Sequence, residues 1–407
     1  MKKYRIVCRH CGREIGGFGE WFGMGQRCGC GSAAVHVEYA APPSLASLFA
    51  SAPAGGSYQH LYFDCLPIER RESIVTLGEG LVPIERWESL EAAGRLAGAD
   101  CEVYVCRNDL NGGSGTFKDI SAALAATVLA EQGISDYCLA STGNAGAAFA
   151  AYLARAGVRF TEFAPSSIDE ETLAFIRAAG QRVEVASGGY GAAKAAAAAY
   201  HEQCGVLISG GNTDPLRIES KRTLAFECFR QTGGLPTVYL QAVAGGTSPL
   251  AFEKGCCDLA AMGVGPQPLP RMLLVQQDEC DPMVSAYEQA ARLGFPDGWE
   301  RQYAEKRPCR TRVGILSAAN PGNYPLLAPL VRRSGGAFLR VSESLLPILG
   351  RRIWDEQRVL LGPASVVAVA GFFRALGQRL LRDGDRVLLN IGEGAARSAW
   401  FRRAMGL

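Results

Sequence analysis

Gly113-Ser114-Gly115-Thr116-Phe117-Lys118-Asp119 decides the reading of this chain. Its two glycines and two hydroxyl residues form a turn that delivers one lysine to an Ala/Leu-rich segment, Phe117 to Gln132, with the composition of a helix. Lysine forms Schiff bases with carbonyls, and an amine desolvated by small neighbours beside a helix N-terminus has a lowered pKa and attacks more readily. The plainer alternative is a lysine that solvates the first turn of a helix.

Two further turns widen the pattern. The apolar run Tyr137-Cys138-Leu139-Ala140 leads into Ser141-Thr142-Gly143-Asn144-Ala145-Gly146 and then a second Ala-rich helix. A strand-to-helix turn of this kind aims backbone N–H groups and short hydroxyls at an anion, which suits a substrate carboxylate. The same residues also make ordinary N-caps. The run Val238 to Val243 is followed by Ala244-Gly245-Gly246-Thr247-Ser248, the composition of a phosphate cradle, with Pro249 unable to donate an N–H.

With these three turns in this order, the chain from about Glu79-Gly80 to near its C-terminus resembles the threonine synthase branch of the fold-type II pyridoxal-phosphate enzymes. The likeness includes Pro215-Leu216-Arg217-Ile218-Glu219-Ser220-Lys221-Arg222-Thr223 and Asn320-Pro321-Gly322-Asn323-Tyr324-Pro325. It implies an α/β fold of two parallel-sheet domains with pyridoxal 5'-phosphate in the cleft between them. It also implies that Lys118 holds the cofactor and serves as base at the substrate Cα, while Asn144 lies against the ring hydroxyl. Ser141, Thr142, Gly143 and Asn144 would bind the substrate carboxylate, and Gly245, Gly246, Thr247 and Ser248 the cofactor phosphate, glycine permitting close backbone approach. Where the family carries a hydroxyl opposite the ring nitrogen, this chain has Ile391 beside Asn390, which makes Asn390 the candidate. A neutral partner there favours elimination over transamination. Arg217, Lys221 and Arg222 are expected to be solvated charges on a helix face.

Threonine synthases typically carry Glu-Pro before a late Ala-rich helix and Thr-Gly-x-Gly near the end. Here those pieces read Gly362-Pro363-Ala364-Ser365 and Asn390-Ile391-Gly392-Glu393-Gly394. These, with Tyr62-Phe63-Asp64-Cys65-Leu66-Pro67 and Leu240-Gln241-Ala242-Val243, are more similar to cysteate synthase, whereas the lysine turn is closer to the threonine synthase form. The resemblance therefore points to β-replacement on an activated serine, with sulfite displacing the phosphate of O-phosphoserine. Threonine synthesis from O-phosphohomoserine is the alternative, and a pyridoxal-phosphate amino-acid lyase is the third reading. A cofactor-binding protein without turnover belongs to another class, and the retention of all three turns argues against it.

The remaining features bound this picture. A net charge of +2 with interspersed charges gives no basic stripe, so nucleic acid is a poor partner, and no apolar stretch reaches membrane-spanning length. A start of Met1-Lys2-Lys3-Tyr4-Arg5 lacks a signal-peptide core, so the expected compartment is the cytoplasm and the expected assembly, by resemblance, a homodimer. Of fourteen cysteines, most read as buried small apolar residues. Cys8-x2-Cys11 and Cys28-x-Cys30 are the exception, two knuckles able to supply a structural zinc site or to persist as a metal-free ribbon. That ribbon is expected to sit apart from the chemistry, with His10 solvated. Gly392-x-Gly394 echoes a dinucleotide fingerprint, but Arg397 occupies the third glycine position and too little chain follows.

Short apolar runs alternating with helical segments from Leu61 onward argue a parallel sheet with crossover helices. Expected strands are 102–106, 137–140, 160–164, 182–186, 238–243, 272–276 and 386–390. Expected helices are 117–132, 145–155, 169–179, 191–204 and 365–381. Composition sets a ribbon over 1–40 and a Pro/Ala/Gly/Ser linker from Ala40 to Ser57, and the resemblance implies a small α/β domain over 120–205 inserted into a large cofactor-binding domain of 41–119 and 206–407.

Overall fold

The computed structural model describes residues 3–41, 45–264, 269–302 and 309–407. In chain order the strands are β1 (Tyr4–Cys8), β2 (Glu14–Ile15), β3 (Val35–Tyr39), β4 (Ile84–Arg86), β5 (Glu102–Arg107), β6 (Asp136–Ala140) and β7 (Arg159–Pro165). They continue with β8 (Arg182–Ala186), β9 (Leu207–Ile208), β10 (Val238–Ala242), β11 (Arg271–Gln277), β12 (Ala337–Val341) and β13 (Arg386–Ile391). They form a six-stranded sheet in the order β12-β11-β10-β13-β5-β4, a four-stranded sheet in the order β8-β7-β6-β9, and a three-stranded antiparallel sheet β2-β1-β3. Pairing within the two larger sheets is parallel except at the β4–β5 edge.

Parallel sheets are covered on both faces, so their strands read as nearly continuous apolar runs. Val238, Leu240, Leu273, Val275, Val387 and Leu389 point into one core, built around the Pro363–Gly377 helix. Tyr239, Met272, Leu274 and Leu388 alternate with them and point into the other. That second core also takes Tyr137, Leu139 and Phe160 from the four-stranded sheet, and the Lys118–Glu131 helix, buried from Asp119 to Leu129. Its alanines let it approach the Asn144–Arg155 helix closely. A buried aromatic there, such as Phe149, stabilises by roughly 3–5 kcal/mol relative to alanine.

The low-complexity run Ala192 to Ala199 lies in the Tyr190–Cys204 helix, with Ala193 and Ala197 packed on Cys138 and Phe163. The late helix expected over 365–381 spans Pro363–Gly377 instead. Proline fits the first helical position because its missing N–H has no acceptor there, and the chain turns out at Arg379, whose φ is 55°. Strand β12 and the β4 edge were outside the expected set. Cys280 and Cys309 form a disulfide.

Candidate active site

The three turns come together because each follows the carboxyl end of a parallel strand: the lysine turn after β5, the Ser141 turn after β6 and the glycine loop after β10. They meet at one cavity of about 560 Å³, lined by Lys118, Ser141, Thr142, Asn144, Gly245, Gly246, Thr247, Ser248 and Asn390. Gly143 is the N-cap of the Asn144–Arg155 helix at φ 144°, a conformation that disfavours any side chain.

The lysine turn is held from inside. The Asp119 carboxylate accepts from the Ser114 N–H (3.0 Å), the Ser114 hydroxyl (2.7 Å) and the Thr116 N–H (2.9 Å). Arg397 donates to the Ser114 backbone carbonyl and, at 3.0 Å, to the Asn144 side-chain amide oxygen, so one guanidinium ties the lysine turn to the Ser141 turn. Burial lowers the Lys118 amine to about 8, with Arg217 adding to the shift and Glu393 opposing it.

In the Ser141 turn, the hydroxyl oxygen accepts from the Gly143 and Gly146 N–H groups, both at 3.0 Å. Ser141 therefore organises the turn, leaving Thr142 and the first-turn N–H groups of the helix to face an anion. The Asn144 amide is engaged at both ends, its nitrogen donating to Glu393 at 2.5 Å and its oxygen accepting from Arg397. Asn390, on β13 between β10 and β5, accepts from Asn108 (2.7 Å) and donates to the Tyr239 hydroxyl (2.9 Å). Its amide nitrogen keeps one further hydrogen.

The glycine loop fits a phosphate and the cavity fits the cofactor. A Cβ on Gly245 would lie 2.0 Å from the Asn212 amide nitrogen, and one on Gly246, at φ 76°, would lie 2.5 Å from Leu327. Only glycines leave that backbone open, and the Thr247–Ala261 helix begins there with its free N–H groups. A volume of this size suits a cofactor with a small substrate.

Four residues that matter here were not in the expected set. Arg217 and Lys221, expected in solvent, are 9% and 3% exposed and line the cavity, which corrects that reading. Arg222, 1% exposed, is also buried, but away from the cavity. Their seven-residue helix, Pro215–Lys221, is covered by β3 and by the Lys118–Glu131 and Thr247–Ala261 helices, leaving no solvated face. Burial drives the Lys221 amine well below its ordinary value, and Lys118 and Arg217 push it further. Lys194 lies at the rim.

Glu393 is the other. It is 3% exposed, lines the cavity, and accepts from the Ala364 N–H at 3.1 Å. A Cβ on Gly362 would lie 2.7 Å from its carboxyl group, so Glu393 fills the space a side chain at 362 would take. Ser365 donates to the Glu393 carbonyl and accepts from the Gly392 and Glu393 N–H groups. The two altered pieces of sequence are thus one structural unit.

In the ribbon, Cys8 lies 3.7 Å from Cys30 and Cys11 3.6 Å from Cys28, sulfur to sulfur, and the four sulfurs fall within 4.8 Å of one another. A tetrahedral site with Zn–S bonds of about 2.3 Å has an S···S edge of about 3.8 Å. The cysteines lie outside the cavity lining, and His10 is exposed. The ribbon is less detached than expected, however: Tyr39 donates to Glu219 at 2.9 Å, on the helix that carries Arg217 and Lys221.

The family described as pyridoxal-phosphate dependent enzyme matches residues 75–392. A threonine synthase of Methanocaldococcus jannaschii is 27% identical over 337 residues, covering 82% of this chain and 79% of that protein. A cysteate synthase of Methanoculleus marisnigri is 28% identical over 291 residues, covering 70% and 66% respectively. Among solved structures, a fungal L-serine ammonia-lyase from Rhizomucor miehei aligns with a TM-score of 0.66 at 14% identity, over 81% of this chain and 98% of that one. The processed form of threonine deaminase isoform 2 from Solanum lycopersicum aligns with a TM-score of 0.63 at 17% identity, over 83% and 90%. At such identities the structural likeness speaks for the fold alone.

Proposed function

This chain belongs to the pyridoxal-phosphate dependent enzyme family, and within it we propose that the protein catalyses β-replacement on O-phosphoserine or a similarly activated serine, with sulfite or another small nucleophile displacing the leaving group. The observation that carries this reading is the charge of the cavity. Lys118, Lys194, Arg217 and Lys221 line it, and Glu393 is its one carboxylate among the described residues. The glycine loop suffices for the cofactor phosphate and the Ser141 turn for a carboxylate. Arg217 and Lys221 remain for a second phosphate, that of the substrate. The altered pieces at 362–365 and 390–394 favour chemistry that needs Cα deprotonation only. O-phosphohomoserine to threonine is the second reading, favoured by the threonine synthase relatives. An amino-acid lyase is the third.

Bound pyridoxal phosphate supplies an electron sink that makes the Cα proton of an attached amino acid acidic. Lys118 would hold the cofactor, and its amine, lowered to about 8, suits it to accept the Cα proton of the substrate. Thr142 and the Asn144 N–H hold the substrate carboxylate within the turn that Ser141 and Gly143 shape. Gly245, Gly246, Thr247 and Ser248 would hold the cofactor phosphate, and Asn390, with one amide hydrogen left, would partner the ring nitrogen. Arg217 and Lys221 hold the leaving phosphate. A spectral screen with O-phosphoserine, O-acetylserine and O-phosphohomoserine, each followed by sulfite, sulfide or water, tests this. Cysteate from O-phosphoserine and sulfite is the expected product; a substrate-dependent band with O-phosphohomoserine alone would refute it.

The same reading assigns residues 1–40 to a ribbon holding zinc through Cys8, Cys11, Cys28 and Cys30, with 41–119 and 206–407 as the large domain and 120–205 as the small one, the second boundary moving past Ile208 because β9 pairs with β6 in the four-stranded sheet. It takes the enzyme to be a cytoplasmic homodimer. Metal analysis should find one zinc per chain, lost on replacing the four cysteines. Full zinc content in that variant would end the assignment.

A further inference from the structure

Beside the active-site cavity lies a crevice of about 10 Å³, lined among others by Asn144, Asp169, Arg312, Glu393, Arg397 and Trp400. That volume is roughly what one water occupies. Asn144 and Glu393 line both spaces, so the Glu393 carboxyl stands in the wall between them. On the cavity side its strand-end turn is bonded directly to the lysine turn: the Phe117 N–H donates to the Gly392 carbonyl at 2.9 Å, and Thr116 bridges to Glu393. On the crevice side Arg312 is exposed, which brings the crevice to the surface.

We propose that Glu393 is the proton-exchange group of the active site, carrying to solvent, through the crevice it shares with Asp169, the proton that Lys118 takes from the substrate Cα. The inference rests on Lys118 as the Cα base and not on the identity of the leaving group. The Cα–H bond breaks onto the Lys118 nitrogen, the resulting ammonium gives a proton to a Glu393 carboxylate oxygen, and Glu393 gives it to water in the crevice, from which Asp169 takes it. The return path reverses these transfers. No electrons change hands and water is the sole co-reactant.

The groups facing Glu393 suit a proton that must move in both directions. Lys118, the first residue of the Lys118–Glu131 helix, lies within electrostatic reach of it, Arg397 acts on it from its own turn, Asp169 from the start of the Glu170–Ala178 helix, and the Ala364 N–H donates to it from the Pro363–Gly377 helix. Asp119 bears on Arg397 from behind, and Arg312 lies across the crevice. Burial raises the Glu393 carboxyl above its usual range, opposed by Asn144, Ala364 and Arg397. Burial, with Glu171, raises Asp169 to about 6, and Lys118 is lowered to about 8, so the donor and acceptor ends of the path approach neutrality from both sides.

A carboxylate that only caps a helix and holds Asn144 would not govern isotope exchange. The test uses wild-type holoenzyme, Glu393→Gln and Asp169→Asn with O-phosphoserine, O-acetylserine and O-phosphohomoserine, each deuterated at Cα, in ordinary water. Mass spectrometry then reads the Cα position of product and recovered substrate. Wild type should replace the deuterium with hydrogen. Glu393→Gln should retain it in up to about a third of molecules, because the Lys118 ammonium that takes the deuteron carries two protons of its own, with kcat down by about 100-fold and the cofactor absorbance band unchanged. Asp169→Asn, outside the main cavity, should raise retention by less and carries the test if Glu393→Gln fails to fold. Exchange in the variants as complete as in wild type, or deuterium retention by wild type itself, would overturn the proposal. Exchange surviving in Lys118→Ala would overturn both it and the assignment of Lys118.

Discussion

Lys221 and Arg222 are adjacent and both buried, and the molecule treats them in opposite ways. Arg222 lies in a knot of opposite charge: its Nε is 3.0 Å from Glu219, it pairs with Asp258, it donates to the Cys65 carbonyl, and its guanidinium lies 4.6 Å from the Tyr39 ring. Glu219 in turn pairs with Lys254 and accepts from Tyr39. Among the described residues neither Lys221 nor Arg217 forms an ion pair within 4 Å, the buried Asp214 carboxylate acting on both only from farther off, and both line the same cavity as Lys118. A buried charge that is paired fastens the ribbon to the body. A buried charge left unpaired costs stability, and it persists where a ligand of opposite charge is to be bound.

The largest effect should come from Lys118 itself. Lys118→Ala should lose about 10⁴-fold or more in turnover while remaining folded, and borohydride reduction of the wild-type holoenzyme should tag Lys118 alone in a peptide map. A tag on Lys221 would invert the comparison within the cavity.

Arg222 and Lys221 should then separate. Arg222→Gln leaves Glu219 and Asp258 short of their buried partner and should destabilise by about 3–5 kcal/mol in chemical denaturation, with kcat/KM per folded molecule nearly preserved. Lys221→Met should do the reverse, raising Tm and lowering kcat/KM for phosphorylated substrates by about 10–100-fold, the worth of a hydrogen bond to a charged group.

The pH dependence of that smaller effect follows from the direction of the shift. The folded-state pKa of Lys221 lies well below the ordinary 10.5, so between the two values the unfolded chain binds the extra proton. Stability of the wild type therefore rises with pH across that window. The gain from Lys221→Met should be largest near neutral pH and shrink toward pH 10.5. A gain independent of pH would mean that Lys221 is not a desolvated amine.

The same contrast explains what the sequence reveals. The turns carrying Lys118, Asn144 and Gly245-Gly246 are legible because their chemistry is local: glycine permits a backbone that other residues refuse, and a hydroxyl or amide closes a turn within a few residues. The alternating burial of β10, β11 and β13 is legible for a similar reason, since a parallel sheet covered on both faces leaves a continuous apolar run. Arg217 and Lys221 are opaque because their burial is decided by β3 and two distant helices. Their spacing did hold a signal: residues 217 and 221 stand i, i+4 on one helix face, while Glu219 and Arg222 stand i, i+3 on another. Glu393 left less trace, since its position depends on Gly362, a residue far away in the chain whose missing side chain makes room for it.

The central claim is that the unpaired cations of the cavity serve a β-phosphorylated amino acid, and the ratio of two specificity constants tests it most directly. With sulfite as nucleophile, kcat/KM for O-phosphoserine should exceed that for conversion of O-phosphohomoserine to threonine, and Lys221→Met should lower the first. A preference for O-phosphohomoserine of more than about tenfold, equivalent to roughly 1.4 kcal/mol in transition-state binding, would contradict the account and make the enzyme a threonine synthase.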